Sequence, residues 1–260
     1  MQIRVRLYFE RKMVMEDVES VHYLYEAGIF FAILGIVWYL RRPLSFHVLQ
    51  RIYAWNINRS KSYSNVIWEE NVRVFQLLNE YKQTINKNLT ILDVGSGPAE
   101  YMAFFPDKTK LVCLDPNLHF AGYIKENMKK YENVVETDIV QGYAENMPFE
   151  SERFDAAFLS LVLCVVEDVR KSLEEVMRVL KPGGKLVFLQ HVTFEDKRLL
   201  AYVLQRAWVP FARMFYGCHA TRDTVKSIRN AGFSDIHMQY IYPKATAYSL
   251  RKCVIGVATK

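Results

Sequence analysis

Ile91-Leu92-Asp93-Val94-Gly95-Ser96-Gly97-Pro98-Ala99-Glu100 is the stretch that decides the fold of this chain. Its apolar run ends in a tight glycine turn, and a second apolar run, Leu111 to Leu114, ends on Asp115. This order is typical of a strand, a turn, a helix start and a second strand, in which the glycines let the backbone approach a ligand and the second carboxylate can bind ribose hydroxyls. The pattern predicts a nucleoside-cofactor site, and an ordinary βαβ crossover with a glycine turn is the alternative.

The rest of the chain narrows the choice of cofactor. A dinucleotide fingerprint needs a third glycine at the position of Glu100, so nicotinamide and flavin cofactors fit this turn poorly. Apolar residues at helical spacing from Val169 to Leu180 predict a helix, which ends at Lys181-Pro182-Gly183-Gly184. Lys185 to Val192 then predicts a buried strand.

These motifs, in this order, resemble those of the class I methyltransferases that use S-adenosylmethionine. That family has a glycine turn, an acidic residue ending the second strand and a Pro-Gly-Gly turn before the fifth. Its loop after the third strand holds an acidic residue near the adenine, which Ala144-Glu145-Asn146-Met147-Pro148-Phe149 matches. The resemblance covers roughly residues 85–260. It implies a Rossmann-like α/β fold, with a mostly parallel seven-stranded sheet and helices on both faces, and S-adenosylmethionine as the cofactor.

Finer details resemble the membrane-anchored thiol S-methyltransferases of the methyltransferase-like family, which carry a short hydrophobic N-terminus on the same catalytic domain. The segments that match are Asp115-Pro116-Asn117, Leu161-Val162-Leu163-Cys164, Gln190-His191-Val192 and Gly217-Cys218-His219-Ala220-Thr221-Arg222. The chain departs from the family at Pro98-Ala99, where a third small glycine-like position is usual. It departs again at Gln190, where a carboxylate usually precedes the histidine.

Ligands of open α/β sheets lie outside the carboxyl ends of the strands, which sets where the cofactor is expected. Backbone amides after Gly95 and Gly97 can meet the methionine carboxylate, and Asp115 can accept hydrogen bonds from the ribose. The resemblance places Glu145 near the adenine amine, whereas Asp93 is expected to hold the turn more than to touch ligand. The predicted cofactor-binding residues are Asp93, Gly95, Gly97, Asp115, Pro116, Ala144, Glu145 and Ser160.

The acceptor side rests on weaker patterns. A free thiol has a pKa of about 8.5 and is partly thiolate at pH 7, so methyl transfer to sulfur needs mainly alignment and removal of water. His191 can take the thiol proton or orient the acceptor, and a structural histidine is the alternative. The long aromatic segment 199–216 predicts a substrate lid for a lipophilic acceptor. There are two alternatives for this segment. It can be a membrane-facing surface that admits substrate from the bilayer, or it can pack onto an N-terminal helix. The predicted acceptor-binding residues are Cys164, Trp208, Phe211 and Phe215.

Composition limits the function classes. The chain has 260 residues, 51% of them hydrophobic, which suits one catalytic domain plus an N-terminal segment. Its four cysteines lack metal-ligand spacing and predict reduced thiols in a cytosol-facing environment, with no metal site. The net charge of +6 comes without a basic stripe. It therefore disfavours nucleic acid and suits anionic lipid headgroups. No obligate protein partner is evident.

Residues 27–40 form a charge-free run of fourteen residues, which Arg41 and Arg42 end. As a helix the run would reach about 21 Å, against about 30 Å for the hydrocarbon core of a bilayer. It predicts a membrane anchor that dips into one leaflet or barely spans, and a buried core helix and a signal peptide are the alternatives. The predicted division is a membrane-associating helical segment, 1–60, and a methyltransferase domain, 61–260.

Two helical runs follow the anchor. Apolar residues from Leu44 to Trp55 predict an amphipathic helix that lies in the membrane interface or leads into the domain. A second run, from Trp68 to Ile85, predicts a helix that covers the cofactor pocket. The polar stretch Arg59 to Asn65 between them is the predicted linker.

Three functions follow from these patterns. The first is methylation of small lipophilic thiols or hydrogen sulfide at a membrane. The second is the same chemistry on a lipid or quinone, and the third is a membrane or lipid-droplet scaffold with a vestigial cofactor site, against which the intact Asp115 and Glu145 argue. The family resemblance implies the endoplasmic reticulum membrane or the lipid droplet, with the catalytic domain facing the cytosol.

Overall fold

The computed structural model describes residues 46–59, 75–195, 200–243 and 250–260, together with Ala32. By its contacts the chain divides into two compact units, Met1–Leu49 and Gln50–Lys260. The sequence pattern instead places the boundary at residue 60. The predicted anchor at 27–40 lies outside the described residues except for Ala32. In the part that is described, no helix combines the length and the apolar character needed to cross a membrane.

A seven-stranded sheet forms the centre of the second unit, with the strand order β3-β2-β1-β4-β5-β7-β6. Strand β7 runs antiparallel to both of its neighbours, and the other pairings are parallel. The prediction of a mostly parallel seven-stranded sheet is therefore confirmed. The strands are β1 Thr90–Val94, β2 Thr109–Asp115, β3 Val134–Gln141, β4 Phe154–Ser160, β5 Leu180–His191, β6 Asp235–Ile241 and β7 Cys253–Thr259.

The described helices connect and cover these strands. They are α1 Phe46–Arg59, α2 with 75–85 as its described part, α3 Ala121–Met128, α4 Val169–Val179, α5 Leu200–Tyr216 and α6 Thr224–Arg229, with short 3-10 helices at Glu100–Phe104 and Leu118–Phe120. Helix α4 begins where its apolar periodicity begins, because the Asp168 side chain accepts the Lys171 N–H and caps the first turn.

Successive residues of a strand face opposite sides of the sheet, and helices cover both sides. Leu92 and Val94 of β1 pack into one hydrophobic cluster with residues of α4 and α6. Ile91, which directly precedes Leu92, packs into the other cluster with residues of α2 and α3. The predicted helices on both faces are therefore present, and the two clusters position the strand ends that carry the candidate site.

The amino ends of the strands are held by ion pairs around Asp155, which is 2% exposed. Its carboxylate accepts the Thr90 N–H at 2.9 Å and contacts Lys87 Nζ and Lys181 Nζ, each at 2.8 Å. Burial alone would raise the pKa of Asp155, but the hydrogen bonds from Lys181, Lys87 and the Thr90 amide outweigh burial and lower it. These contacts give Asp155 a structural role at the amino ends of β1, β4 and β5.

One helix differs from the sequence-based expectation. The helix expected after the glycine turn is only the 3-10 segment Glu100–Phe104. It ends there because Pro106 disfavours a helical Phe105, which is extended with φ −67° and ψ 150°. The helix predicted from Trp68 to Ile85 is described only from Phe75, whose ring stacks on Phe104 after the glycine turn at 5.2 Å between centroids. Its role in covering the cofactor pocket stays a prediction.

Candidate functional site

The turn after β1 is built for close approach of another group to its backbone. Gly95 and Gly97 have φ values of +62° and +50°, in the left-handed region that glycine adopts without strain. A Cβ atom on Gly95 would lie 2.6 Å from Val162 Cγ2, whereas one on Gly97 would meet nothing closer than 4.0 Å. The Gly95 N–H donates to the Leu114 carbonyl at 2.7 Å, which fixes the turn against the end of β2.

Asp115, at the carboxyl end of β2, is tied to this turn by its side chain. Oδ2 accepts the Gly97 N–H at 3.0 Å and Oδ1 accepts the Asn117 N–H at 2.8 Å. Burial raises the pKa of Asp115, and these two hydrogen bonds only partly oppose the rise. The next residue, Pro116, accepts a hydrogen bond from Gln141 Nε2 through its carbonyl. The predicted ribose-binding carboxylate therefore lies directly beside the glycine turn.

Asp93 adds a second buried carboxylate at the same place. The residue is 2% exposed, and its Oδ2 accepts no hydrogen bond from the described residues. Burial, and then the neighbouring Asp115, raise the pKa of Asp93 well above its ordinary value. A buried carboxylate in this state is stabilised by a nearby positive charge. The turn and the two acids together fit a nucleoside that carries a cation.

The loop after β3 reaches the next loop of the sheet edge through Glu145. Its Oε1 accepts the Glu167 N–H at 2.7 Å and the Asp168 N–H at 3.4 Å, just before α4. Ala144 beside it is buried. One oxygen of Glu145 is thus committed to the backbone, and a contact of Glu145 with adenine stays a prediction.

Ser160, the last residue of β4, hydrogen-bonds to a residue that sequence reasoning did not identify. Its Oγ lies 2.9 Å from the hydroxyl of Tyr101, on the 3-10 helix after the glycine turn. Burial raises the pKa of Tyr101, so the phenol stays protonated at neutral pH. The pair joins the cofactor turn to the end of β4. No local pattern signals it, because the two residues are far apart in the sequence.

His191 ends β5, where the sequence predicts a base or an orienting residue. Its ring is 4% exposed, and Nδ1 lies 3.4 Å from Cys253 Sγ. Burial lowers the pKa of His191 to about 4, against which a hydrogen bond with the Leu250 backbone acts weakly. The imidazole is therefore neutral at pH 7 and a weak base, since a general base works best with a pKa near the working pH.

Gln190 and Arg222 hold the loop after β4, a role that sequence reasoning did not assign. Gln190 is fully buried, donates to the Leu159 carbonyl and accepts the Leu163 N–H, both at 3.0 Å. Arg222 donates to the Leu163 carbonyl at 3.0 Å and to the Val166 carbonyl. Between these anchors Leu161 has a φ of 57°, and such a left-handed conformation of a non-glycine residue persists only where the surrounding structure imposes it.

The residues predicted to bind the acceptor gather around α5. Cys164 packs with Ala212 and Cys218, and the Trp208 ring packs against them. Trp208 and Phe211 lie 6.0 Å apart between ring centroids. The side chain of Phe215 lies outside the described residues. A hydrogen bond with Cys164 lowers the pKa of the Cys218 thiol and raises that of Cys164, so one proton is favoured on Cys164.

Helix α5 is fixed to the domain by one polar side chain. Gln205 is 1% exposed, donates to the carbonyls of Val192 and Ala220, and accepts the Phe194 N–H. The segment 199–216, which was predicted as a lid, is a regular helix from Leu200 onward. The hydrogen bonds of Gln205 attach this helix to the rest of the domain. Across the described part of the chain, no group of three or more potential metal ligands occurs.

Comparisons with known proteins agree with this geometry. A family described as a methyltransferase domain matches residues 92–188. Thiol S-methyltransferase TMT1B of Rattus norvegicus is 33% identical over 189 residues, covering 72% of this chain and 77% of that protein. Thiol S-methyltransferase TMT1A of Homo sapiens is 30% identical over 191 residues, with the same coverage of 72% and 77%.

A solved structure shows the same fold. The crystal structure of a SAM-dependent methyltransferase from Thermotoga maritima covers 82% of this chain and 99% of its own, with a TM-score of 0.52 and 18% identity. At this identity the likeness concerns the fold alone. The relatives carry the family assignment, because they match over most of both chains. The chain is a methyltransferase that uses S-adenosylmethionine, and it belongs to the family that includes TMT1A and TMT1B.

Proposed function

We propose that this enzyme transfers the methyl group of S-adenosylmethionine to the sulfur of small lipophilic thiols, or of hydrogen sulfide, at a membrane. The observation that carries the proposal is the match to two thiol S-methyltransferases, each covered over 77% of its length. The geometry of the strand ends supports it on both the cofactor side and the acceptor side.

On the cofactor side, S-adenosylmethionine supplies an electrophilic methyl group on a positively charged sulfur. Asp115 would bind the ribose hydroxyls, because its carboxylate is already oriented by the amides of Gly97 and Asn117. Asp93 would lie beside the positive charge, which relieves the cost of its burial. The N–H groups of Gly95, Ser96 and Gly97 already donate to Leu114 and Asp115, so the turn would contribute close backbone approach to the methionine part of the cofactor and not amide donors for its carboxylate.

On the acceptor side, the low basicity of His191 favours sulfur. A pKa of about 4 makes this histidine a poor acceptor for the proton of a weakly acidic group. A thiol, with a pKa of about 8.5, supplies some thiolate at neutral pH without help, whereas a phenol with a pKa of about 10 supplies far less. His191 then acts as an orienting or structural residue.

The apolar surroundings of α5 support a lipophilic acceptor. Trp208 and Phe211 lie beside the Cys164 loop, and α5 is held in place by Gln205. We therefore assign α5 as a fixed wall of the acceptor site, lined by Cys164, Trp208 and Phe211. Bulky apolar thiols should fit such a wall better than charged thiols such as glutathione.

The membrane location is part of the same proposal. Residues 27–40 would anchor the enzyme to the endoplasmic reticulum membrane or the lipid droplet, with the catalytic domain in the reducing cytosol. The four cysteines, all buried thiols, are compatible with that compartment. Replacing Phe31 and Leu34 with Asp should release the protein from carbonate-washed membranes, because a charge in the hydrocarbon region costs several kcal/mol. Retention equal to that of the parent would exclude this anchor.

The decisive experiment is an acceptor panel with S-adenosylmethionine that carries a labelled methyl group. Long-chain alkyl thiols should be methylated well, charged thiols poorly, and phenols and quinols hardly at all. The rate at subsaturating thiol should rise with pH toward the pKa of the thiol itself. Equal methylation of phenols or quinols would overturn the thiol assignment in favour of a lipid or quinone acceptor. Failure to bind the cofactor would support the alternative function, a membrane or lipid-droplet scaffold.

A further inference from the structure

Large apolar side chains are exposed along one edge of the sheet. Leu118 follows β2 and Val165 follows β4, and Leu200, Val203 and Leu204 lie on α5 after β5. Because β2, β4 and β5 are parallel, the segments that follow them lie at the same edge, which also carries the glycine turn. Their exposed fractions range from 40% to 65%.

The first turns of helix α5 expose large apolar residues, whereas Trp208 and Val209 further along the helix pack inward. Ala201, Gln205 and Ala212 are buried, whereas Leu200, Val203 and Leu204 are exposed. A helix that only had to cover the domain would turn its large apolar residues inward. Gln205 fixes the rotation of α5 through hydrogen bonds to the Val192 and Ala220 carbonyls. The outward apolar face is therefore a property of the packed helix.

Helix α1 brings a second apolar surface to the same edge. The Gln50 carbonyl accepts a hydrogen bond from Asn117, and the Tyr53 ring meets Phe120 edge-on at 6.3 Å. Asn117 and Phe120 belong to the segment after β2. Beside this contact, Trp55 is 52% exposed.

The charges of these two helices suit an anionic surface. Helices α1 and α5 each carry two arginines and no acidic residue. Arg59 lies 5.4 Å from the centre of the Trp55 ring and Arg206 lies 4.3 Å from that of Tyr202. Arginine beside an aromatic ring is an arrangement suited to the lipid–water interface, where the ring enters the headgroup layer and the cation meets phosphate.

We propose that an apolar rim, formed by Trp55, Leu118, Val165, Leu200, Val203 and Leu204, docks the carboxyl edge of the sheet onto an anionic lipid surface. The mouth of the site then faces the bilayer, and a lipophilic acceptor enters from the lipid without crossing water. This inference rests on the proposed function for the identity of the acceptor. A second copy of the chain fits less well, because a contact between two rims would bring together helices that carry arginines and no acidic residue.

The test compares two exposed valines at opposite edges in the full-length protein. Val203 lies on the rim, and Val135 is equally exposed at the amino end of β3. Because the four native cysteines are buried, Val203→Cys and Val135→Cys can each be labelled selectively with an environment-sensitive fluorophore. The labelled proteins are reconstituted with phosphatidylcholine vesicles containing phosphatidylserine, or with phosphatidylcholine alone. Lipid-borne nitroxides report contact with the bilayer by quenching.

Rim docking predicts a blue shift and strong quenching of the fluorophore at position 203. Quenching at position 135 should be at least about threefold weaker. Quenching at position 203 should also weaken when phosphatidylserine is left out. Equal quenching at both positions, or none at 203, would overturn the proposal. A blue shift at 203 that depends on protein concentration and ignores lipid would also overturn it, in favour of a second copy. Methylation of hydrogen sulfide, the water-soluble acceptor of the proposed function, by the same samples in detergent tests that function separately, since it does not require the rim.

Discussion

The two edges of the sheet differ in how their buried acids are satisfied. At the amino edge, Asp155 accepts from a backbone amide and pairs with two lysines, and its pKa is lowered. At the carboxyl edge, the buried Asp93 lies near the partly buried Asp115, and the pKa of each is raised. The difference teaches that the amino edge contributes to stability, whereas the carboxyl edge holds an electrostatic cost that a cationic ligand relieves.

Exposed side chains follow the same division. The carboxyl edge exposes Trp55 and several large residues of α5, whereas the amino edge carries two lysines around Asp155 and a single exposed valine, Val135, among the described large apolar residues at its strand starts. Surface composition and buried charge therefore both assign binding to one edge of the sheet. The substitutions below separate the two edges, beginning with the largest expected effect.

The glycine turn gives the largest effect. Gly95→Ala should lower the free energy of unfolding by about 2–3 kcal/mol, because a left-handed backbone costs a non-glycine residue about 1–2 kcal/mol and the new methyl must displace Val162. It should also weaken cofactor binding. Gly97→Ala is the matched control, since it has a similar φ but an open Cβ position, and it should cost only about 1–2 kcal/mol. Urea unfolding measures both, and equal losses would show that Val162 does not constrain the turn.

Asp155→Asn tests the amino edge. It should destabilise by about 1–2 kcal/mol at neutral pH, because two partly exposed lysines lose their partner. The stabilisation due to Asp155 is present above the unfolded pKa of about 3.9 and is lost as pH falls through the lower folded pKa. The variant should therefore approach the parent in unfolding free energy in strong acid. Glu136→Gln, which breaks the exposed pair with Lys110, should change little.

The sequence predicts elements whose signals are local. Helix α4 begins at Val169 and ends at Val179, close to the ends that its periodicity indicates, but Lys181-Pro182-Gly183-Gly184 lies within β5, which begins at Leu180 and not at Lys185. The prediction of a helix after the glycine turn was wrong, because Pro106 limits this segment to a short 3-10 helix. The segment 199–216 was predicted as a lid without an assigned secondary structure, and from Leu200 it is a helix that contains Pro210.

The part of the candidate site that lies at the ends of the strands was predictable from the sequence. Asp93, Gly95, Gly97 and Asp115 come together as the motif indicates. Contacts that depend on packing were not visible in any window of sequence. They include the Tyr101–Ser160 hydrogen bond and the Gln205 contacts, and the low pKa of His191 depends on burial in the same way.

His191→Asn should have the smallest effect on catalysis. We expect turnover with a thiol acceptor to fall less than about tenfold, because alignment and removal of water carry most of the acceleration. Burial lowers the folded pKa to about 4 while the unfolded value is about 6.5, so the parent loses stability as pH falls from 6.5 to 4. The variant should lose less stability over that range. A hundredfold fall in turnover, with a shifted pH–rate profile, would restore His191 as a base.

Thermal unfolding with and without S-adenosylmethionine tests the division between the edges most directly. For the parent, ligand at about one hundred times its Kd should add about 2.7 kcal/mol of stability. Asp155→Asn should start from a lower Tm and keep the full ligand-induced rise. Asp115→Ala should lose about 1–3 kcal/mol of binding free energy and with it most of the rise. An unchanged rise for Asp115→Ala, or an equal loss for both variants, would contradict the assignment of cofactor binding to the carboxyl edge.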